Sequence, residues 1–215
     1  MKINGVKDRN AYLTVAKAGL AEQSIERSRF IGQVIPAKTV SDCDDFFERV
    51  RREHRRATHN VPAYVLGENC SIQWASDDGE PRGTAGAPIV HMLVNEGVSD
   101  VAIVVTRYFG GVKLGTGGLV RAYTGTAKLA LEAAGLARVS EKYVLDVETD
   151  YAGYHSLETA AGDAYIMESA TFAEIVTASL ACEPETADTV KARIRAVCPS
   201  ARIIRERTKK VITPL

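Results

Sequence analysis

The sequence predicts an α+β protein built from two α/β sandwiches of two layers each. Its 215 residues are enough for one large domain or two small ones. Strand-like and helix-like segments follow each other along the chain, and the last third has the order βαββαβ, which closes a hydrophobic core by itself. We therefore predict an N-terminal domain at residues 1–137 and a C-terminal domain at residues 138–215.

The N-terminal domain opens with a strand, a helix and a hairpin. Residues 24–37 alternate polar and apolar side chains, which predicts a half-buried strand ending near Pro36. A helix follows with Ser41 as its cap, since aspartates occupy its first turn and arginines its end, as the helix dipole favours. Residues 63–66 and 71–75 predict a hairpin around a polar turn.

The rest of the N-terminal domain is predicted as helix, strand and helix. Residues 88–96 have a helical pattern, and Gly97 is placed to end that helix. Residues 101–106 form a continuous β-branched run, which predicts a strand buried on both faces. Residues 119–134 are helical in pattern, and Gly135 ends them.

The C-terminal domain follows the ferredoxin-like plan, with two helices on one face of an antiparallel sheet. Its predicted strands are residues 142–149, 165–172, 174–182 and 201–205, and its predicted helices are residues 154–161 and 185–197.

Composition and charge limit the classes of function. The formal net charge is zero, so any basic surface for nucleic acid must be local. The four cysteines lie far apart without a CxxC pair, which argues against a zinc site or a disulfide framework and favours a reduced cytoplasm. We expect no signal segment and no membrane span, because no run approaches the roughly 20 apolar residues that a bilayer requires.

A glycine-rich segment between a strand and a helix is the first candidate site. It contains Gly110, Gly111, Lys113, Gly115, Thr116, Gly117 and Gly118, and Arg121 follows it. Backbone N–H groups at a helix N-terminus bind anions when no side chain blocks the approach. The glycines can equally serve a structural loop through positive φ or close packing. The lysine that a nucleotide-hydrolysing P-loop requires is absent at its position.

Arg107 and Tyr108 directly follow the predicted buried strand, where ligands dock in layered α/β structures. Arg107 offers bidentate donors, and Tyr108 and Phe109 offer stacking surface. Strand alternation sends the two rings to opposite faces, so we expect one of them to lie in the core.

Asp77, Asp78 and Glu80 form an acidic turn before a predicted helix that Thr84 is placed to cap. Such carboxylates can hold a divalent cation or perform acid–base chemistry, and they can equally cap turns and bind arginine. We expect this turn and the segment from Arg107 onwards to meet on one face, with Arg107 close to one of the carboxylates.

The segment from Arg51 to Ala63 is the strongest local basic patch and contains two histidines. Helix-dipole compensation and binding of a phosphate backbone both explain its arginines. His59 is a candidate pocket residue that hydrogen-bonds a ligand, or else a histidine with structural partners only. The spacing of His54 and His59 does not fit a one-face helical zinc pair, and no GxSxG elbow is present. We predict no catalytic residues and no metal site.

These motifs together resemble the IMPACT/YigZ family over residues 20–135. The matching residues are Ser28-Arg29-Phe30, Glu53-His54, Ala57, His59, Ala63-Tyr64, the acidic turn with Gly83-Thr84-Ala85-Gly86 and Pro88, Arg107 to Gly111, and Leu114 to Tyr123. Arg82 and Lys113 lie where the family accepts other residues. The resemblance implies the fold of the second domain of ribosomal protein S5 for the N-terminal domain. It implies the fold of the last domain of elongation factor G for the C-terminal one.

The resemblance also implies association with RNA or the ribosome, and eukaryotic relatives regulate translation by competing for an activator of an initiation-factor kinase. We therefore predict a non-catalytic, translation-associated regulator or binding protein whose partner is RNA, the ribosome or a translation factor, with no cofactor and no DNA-specific motif. One alternative is a phosphate- or nucleotide-binding enzyme with the small-molecule kinase fold, although Thr116 is the only hydroxyl in the loop. A protein–protein adaptor is another. The sequence predicts no particular oligomeric state.

Overall fold

The computed structural model describes residues 11–215, which form two compact units. The first unit ends at Val139 and also takes in Ile212–Leu215, and the second unit is Ser140–Val211. The strands of the first unit are β1 (Tyr12–Val15), β2 (Gly19–Ile25), β3 (Ser28–Pro36), β4 (His59–Leu66), β5 (Ile72–Ala75) and β6 (Val101–Tyr108). Its helices are α1 (Val40–Glu53), α2 (Gly86–Asn95) and α3 (Gly115–Ala134).

The first unit contains a five-stranded antiparallel sheet in the order β2-β3-β6-β4-β5. Its central strand is β6, whose side chains alternate between two hydrophobic clusters. Ile103 packs among residues of α2 and α3, and Val104 packs among residues of α1. The prediction that this β-branched strand is buried on both faces is therefore confirmed. Helices α2 and α3 cover one face of the sheet, and α1 covers part of the other.

The second unit has the predicted order βαββαβ. The chain enters it along β7 (Leu136–Thr149) and continues through α4 (Tyr151–Ala160), β8 (Ile166–Phe172), β9 (Val176–Cys182), α5 (Ala187–Val197) and β10 (Arg202–Pro214). The strands lie in the order β10-β7-β9-β8, as in ferredoxin-like folds. Leu145 and Leu180 are cross-strand neighbours, and both pack in the same core as Leu157 and Ile194 of the two helices. No helix within residues 11–215 is long and apolar enough to cross a membrane.

The single strand predicted over residues 24–37 is wrong, because a tight turn divides this stretch into the end of β2 and the whole of β3. The turn residues Glu26 and Arg27 both have positive φ, 45° and 64°. A two-residue turn of this kind usually contains Asn or Gly, and neither occurs here. The four residues Glu26 to Arg29 are all polar, which interrupts the alternation, but without a typical turn residue this interruption does not identify a hairpin.

The predicted cap of α1 is also wrong by two residues. Thr39 is the N-cap, and its hydroxyl accepts a hydrogen bond from the Asp42 N–H at 3.1 Å. The Asp42 carboxylate accepts one from the Thr39 N–H at 2.9 Å, which completes a capping box. Ser41 therefore lies inside the first turn.

Candidate functional site

A buried ion pair lies at the centre of the candidate site. Arg107, near the end of β6, donates from Nη1 to Oε1 of Glu80 at 2.6 Å, and both side chains are almost completely buried. The hydroxyl of Tyr123 on α3 donates to the same oxygen at 2.8 Å. Burial, and then the hydrogen bond to Glu80, raise the pKa of Tyr123, so the phenol keeps its proton. The expected proximity of Arg107 to the acidic turn is confirmed.

Further contacts fix the Arg107 guanidinium. Its Nη2 lies 3.3 Å from Oγ of Ser28, and its Cζ lies 5.3 Å from the ring centroids of Phe30 and Phe109. The same Ser28 oxygen accepts a hydrogen bond from the N–H of Gly110 at 3.2 Å. Arg107 is only 5% exposed. Its guanidinium neutralises Glu80 and, through Ser28, helps to position the segment that follows β6.

His59 lies beside this pair, because it is the cross-strand neighbour of Arg107 on β4. Its Nδ1 lies 2.8 Å from the carbonyl oxygen of Asp78. A carbonyl oxygen only accepts hydrogen bonds, so Nδ1 carries the proton and donates. Nε2 then faces Glu80, 3.7 Å from Oε1. His59 is thus held in one orientation with its second nitrogen directed at the ion pair.

Asp77 caps α2 in place of Thr84, and the predicted Thr84 cap is wrong. The Asp77 carboxylate accepts hydrogen bonds from the N–H groups of Gly83, Ala85 and Gly86 at 2.7, 3.1 and 2.9 Å. Thr84 instead donates its hydroxyl proton to the carbonyl oxygen of Pro81 at 2.6 Å. Burial raises the pKa of the Asp77 carboxyl, but the three N–H groups and the charge of Arg82 together outweigh burial and lower it.

Asp78 is likewise committed to the protein itself. Its Oδ2 accepts a hydrogen bond from the N–H of Asn60 at 2.6 Å, and its Oδ1 lies 3.7 Å from Arg51. Each of the three carboxylates in the acidic turn therefore has protein partners. This favours the structural alternative, in which the turn caps a helix and binds arginine, over cation binding by the turn.

The glycine-rich segment begins α3 earlier than the sequence predicts. The helix starts at Gly115, which has a φ of 69°, so Thr116, Gly117 and Gly118 lie in its first turn. Leu114 is the N-cap, and its apolar side chain cannot accept a hydrogen bond from the first amides. Those amides remain available to an anion.

A cavity of about 480 Å³ lies at this helix N-terminus. Its polar lining residues are Gln23 and Glu26 from the β2–β3 hairpin, and Lys113 and Arg121 from the glycine segment and α3. The predicted site residues therefore fall into two groups. His59 and Asp78, both half-buried, join the buried Glu80 and Arg107 in what we call the buried polar cluster, and Lys113, Gly118 and Arg121 line the cavity. Gly111, with a φ of 89°, lies in the connection that leads to Lys113.

Two aromatic residues follow Arg107, and neither is a core residue, so the expectation that one would be is wrong. The Tyr108 hydroxyl is 3.0 Å from Nδ1 of His54, and the ring is half-buried. Phe109 points to the opposite side, over Arg107, and is 46% exposed. The sequence patterns do not single out Ser28 and Tyr123 as functional candidates, although both belong to the shared family motifs.

The fold and the site together define a class of two-unit α+β protein, and comparison with known proteins identifies the family. The Impact N-terminal domain model matches residues 26–131, a range that includes the whole buried polar cluster. The chain is 42% identical over 149 residues to the IMPACT family member YvyE of Bacillus subtilis (strain 168), covering 69% of each protein. It is 45% identical over 111 residues to YigZ of Escherichia coli (strain K12), covering 51% of this chain and 54% of YigZ.

A solved structure, described as that of a hypothetical protein, has a TM-score of 0.59 and 28% identity, covering 96% of this chain and 98% of the other. The chain belongs to the IMPACT family.

Proposed function

We propose that the protein is a non-catalytic, translation-associated regulator that contacts single-stranded RNA through its first unit. The cavity at the N-terminus of α3 is the observation that supports this proposal most directly. It combines uncapped helix amides with the cationic side chains of Lys113 and Arg121, a combination suited to phosphate oxygens. On this proposal the protein acts in the cytoplasm, in keeping with its four free cysteines.

The distribution of charge supports an RNA partner although the net charge is zero. The carboxylates of the acidic turn are occupied by helix amides, Asn60 and Arg107. Arg121 is exposed on α3. Three more exposed arginines lie in the first unit: Arg52 in the last turn of α1, and Arg55 and Arg56 just after the helix. Local basic surface of this kind is the electrostatic footprint expected of a phosphate-backbone contact.

Titration of labelled single-stranded RNA against the protein at several salt concentrations tests this proposal. The double variant Lys113→Ala/Arg121→Ala should bind more weakly, and the slope of log affinity against log salt should become shallower by about 0.7 per lost phosphate contact. Lys128→Ala is the matched control, because it removes one positive charge from the same helix at a surface pair with Glu96. Arg107 is unsuitable for the test, since its loss would leave Glu80 buried without its charged partner.

Other outcomes identify the alternatives. Magnesium-dependent ATP binding that Gly117→Leu abolishes would support the phosphate- or nucleotide-binding enzyme instead. Salt-insensitive association with a protein factor, unchanged in the double variant, would support the adaptor. Either result, together with absence of RNA binding, contradicts the proposal.

A further inference from the structure

Phe109 is a large apolar side chain held on the surface beside the buried polar cluster. It directly follows β6 and is 46% exposed. An isolated exposed apolar residue needs no explanation by itself. Phe109 differs because several contacts fix its position.

The support beneath Phe109 is rigid. The Arg107 guanidinium lies 5.3 Å from the centroid of the ring and is itself held by Glu80 and Ser28. The N–H of Phe109 donates to Oγ1 of Thr58 at 3.0 Å. An aromatic ring that is already positioned loses little conformational entropy when a ligand stacks on it.

Exposed basic residues lie on the two segments that contact the chain at Phe109 and Gly110. A Cβ atom at Gly110 would overlap the carbonyl oxygen of Arg27, so the hairpin turn that carries Arg27 lies directly against the segment after Phe109. Arg55 and Arg56 are exposed and stand just before Thr58, which contacts the Phe109 backbone. The turn also carries the acidic Glu26, but the basic residues outnumber it.

Trp74, the other exposed aromatic residue in the described part of the first unit, has a different environment. Trp74 stacks against Phe47 and Tyr64, with centroids 6.0 and 5.7 Å apart. Its ring neighbours are therefore other aromatic side chains, whereas the ring of Phe109 lies against the Arg107 guanidinium.

We infer that Phe109 is the stacking platform for an unpaired base of single-stranded RNA, with the flanking phosphates near Arg27, Arg55 and Arg56. This inference rests on the proposed function and adds to it the contact that selects single strands. Unpaired bases stack on aromatic side chains, and the bases of a duplex are not available to do so.

A single-tryptophan reporter tests the inference. Trp74 is the only tryptophan of the chain, so Trp74→Phe/Phe109→Trp leaves one indole at the proposed platform. Its fluorescence should be quenched in a saturable way by single-stranded oligo(A) and unchanged by the same strand in a duplex. In the native background, Phe109→Ala and Phe109→Leu should each weaken oligo(A) binding roughly 5- to 150-fold, the range for loss of one base–aromatic stack. Trp74→Phe alone should bind as the native protein does.

The possible outcomes distinguish failure of the stacking role from failure of the proposed RNA-binding function. If RNA binds and neither Phe109 variant weakens it, the stacking role is overturned and the proposed function stands. If the native protein binds no RNA, both are overturned. Equal quenching by single strand and duplex also overturns the stacking role. Circular dichroism of Phe109→Leu, which keeps the apolar volume, distinguishes a lost stack from a lost fold.

Discussion

Asp77 shows at the level of one residue why helix caps can escape a search of the sequence. It stands eight residues before Ala85, the N-cap of α2, yet its carboxylate accepts three backbone hydrogen bonds at the start of that helix. A search for a cap examines the residues next to the helix and selects Thr84. Only the path of the intervening turn brings Asp77 to the position.

The Asp77 cap predicts a particular pH dependence of stability. The pKa of Asp77 is lowered in the folded state, so its carboxylate stabilises the fold above the ordinary value of about 3.9, and this stabilisation is lost as the pH falls through the lowered folded-state value. Asp77→Asn has no such proton to take up. Its urea midpoint should be lower than that of the native protein at pH 7 and should change less between about pH 5 and 2.

Asp45→Asn on the exposed surface of α1 is the control for this comparison. An Asp77→Asn protein that loses stability with acid as steeply as the native protein would contradict the assignment of the cap.

At the scale of elements, sequence patterns predicted structure where burial dominates and failed where distant residues decide. The run from Val101 identified β6 because a strand covered on both faces needs apolar residues at every position. In contrast, β1 is only four residues long and pairs with Leu136–Val139, far along the chain, so no local pattern could reveal this pairing. The start of α3 at Gly115 was missed because glycine disfavours helix interiors.

The candidate site could be predicted from the sequence only in part. The charges of Arg107 and the acidic turn indicate that they pair, and the structure selects Glu80. Nothing in the sequence indicates that Tyr123 and Ser28 also converge on this pair, because they lie on α3 and β3 and meet it only when both elements pack around β6.

The capping box of α1 provides a prediction at the element scale. Thr39→Ala removes the hydroxyl that accepts a hydrogen bond from the Asp42 N–H. It should lower the free energy of unfolding of the first unit by about 1 kcal/mol. Ser41→Ala changes the same type of side chain two residues later, inside the first turn, and should have a smaller effect. Thermal or urea unfolding of the two variants measures the difference, and the opposite ranking would restore Ser41 as the cap.

At the scale of the whole molecule, each of the two units has a hydrophobic core of its own. The core of the second unit is built from Leu145, Val147, Leu157, Leu180, Val190 and Ile194. We propose that the domains predicted from the sequence correspond to units that can fold separately.

The separate core predicts that a fragment covering residues 138–211 folds without the first unit. It should show mixed α and β circular dichroism and a cooperative thermal transition. Leu180→Ala, which opens a cavity between β9 and the helices, should abolish or strongly lower that transition, since such a change costs roughly 2–5 kcal/mol. A fragment that is unfolded under native conditions would contradict the proposed division.

The single oxygen Oε1 of Glu80 has a consequence for how this protein can change over evolutionary time. Arg107 and Tyr123 both donate to it, and His59 faces it. Replacement of Glu80 or Arg107 leaves the other charge buried without its counterion, and loss of Glu80 also removes the acceptor of the Tyr123 hydroxyl. Substitutions of Glu80 and Arg107 should therefore be tolerated only in combination, so that a lineage must pass through a less stable intermediate or keep both residues.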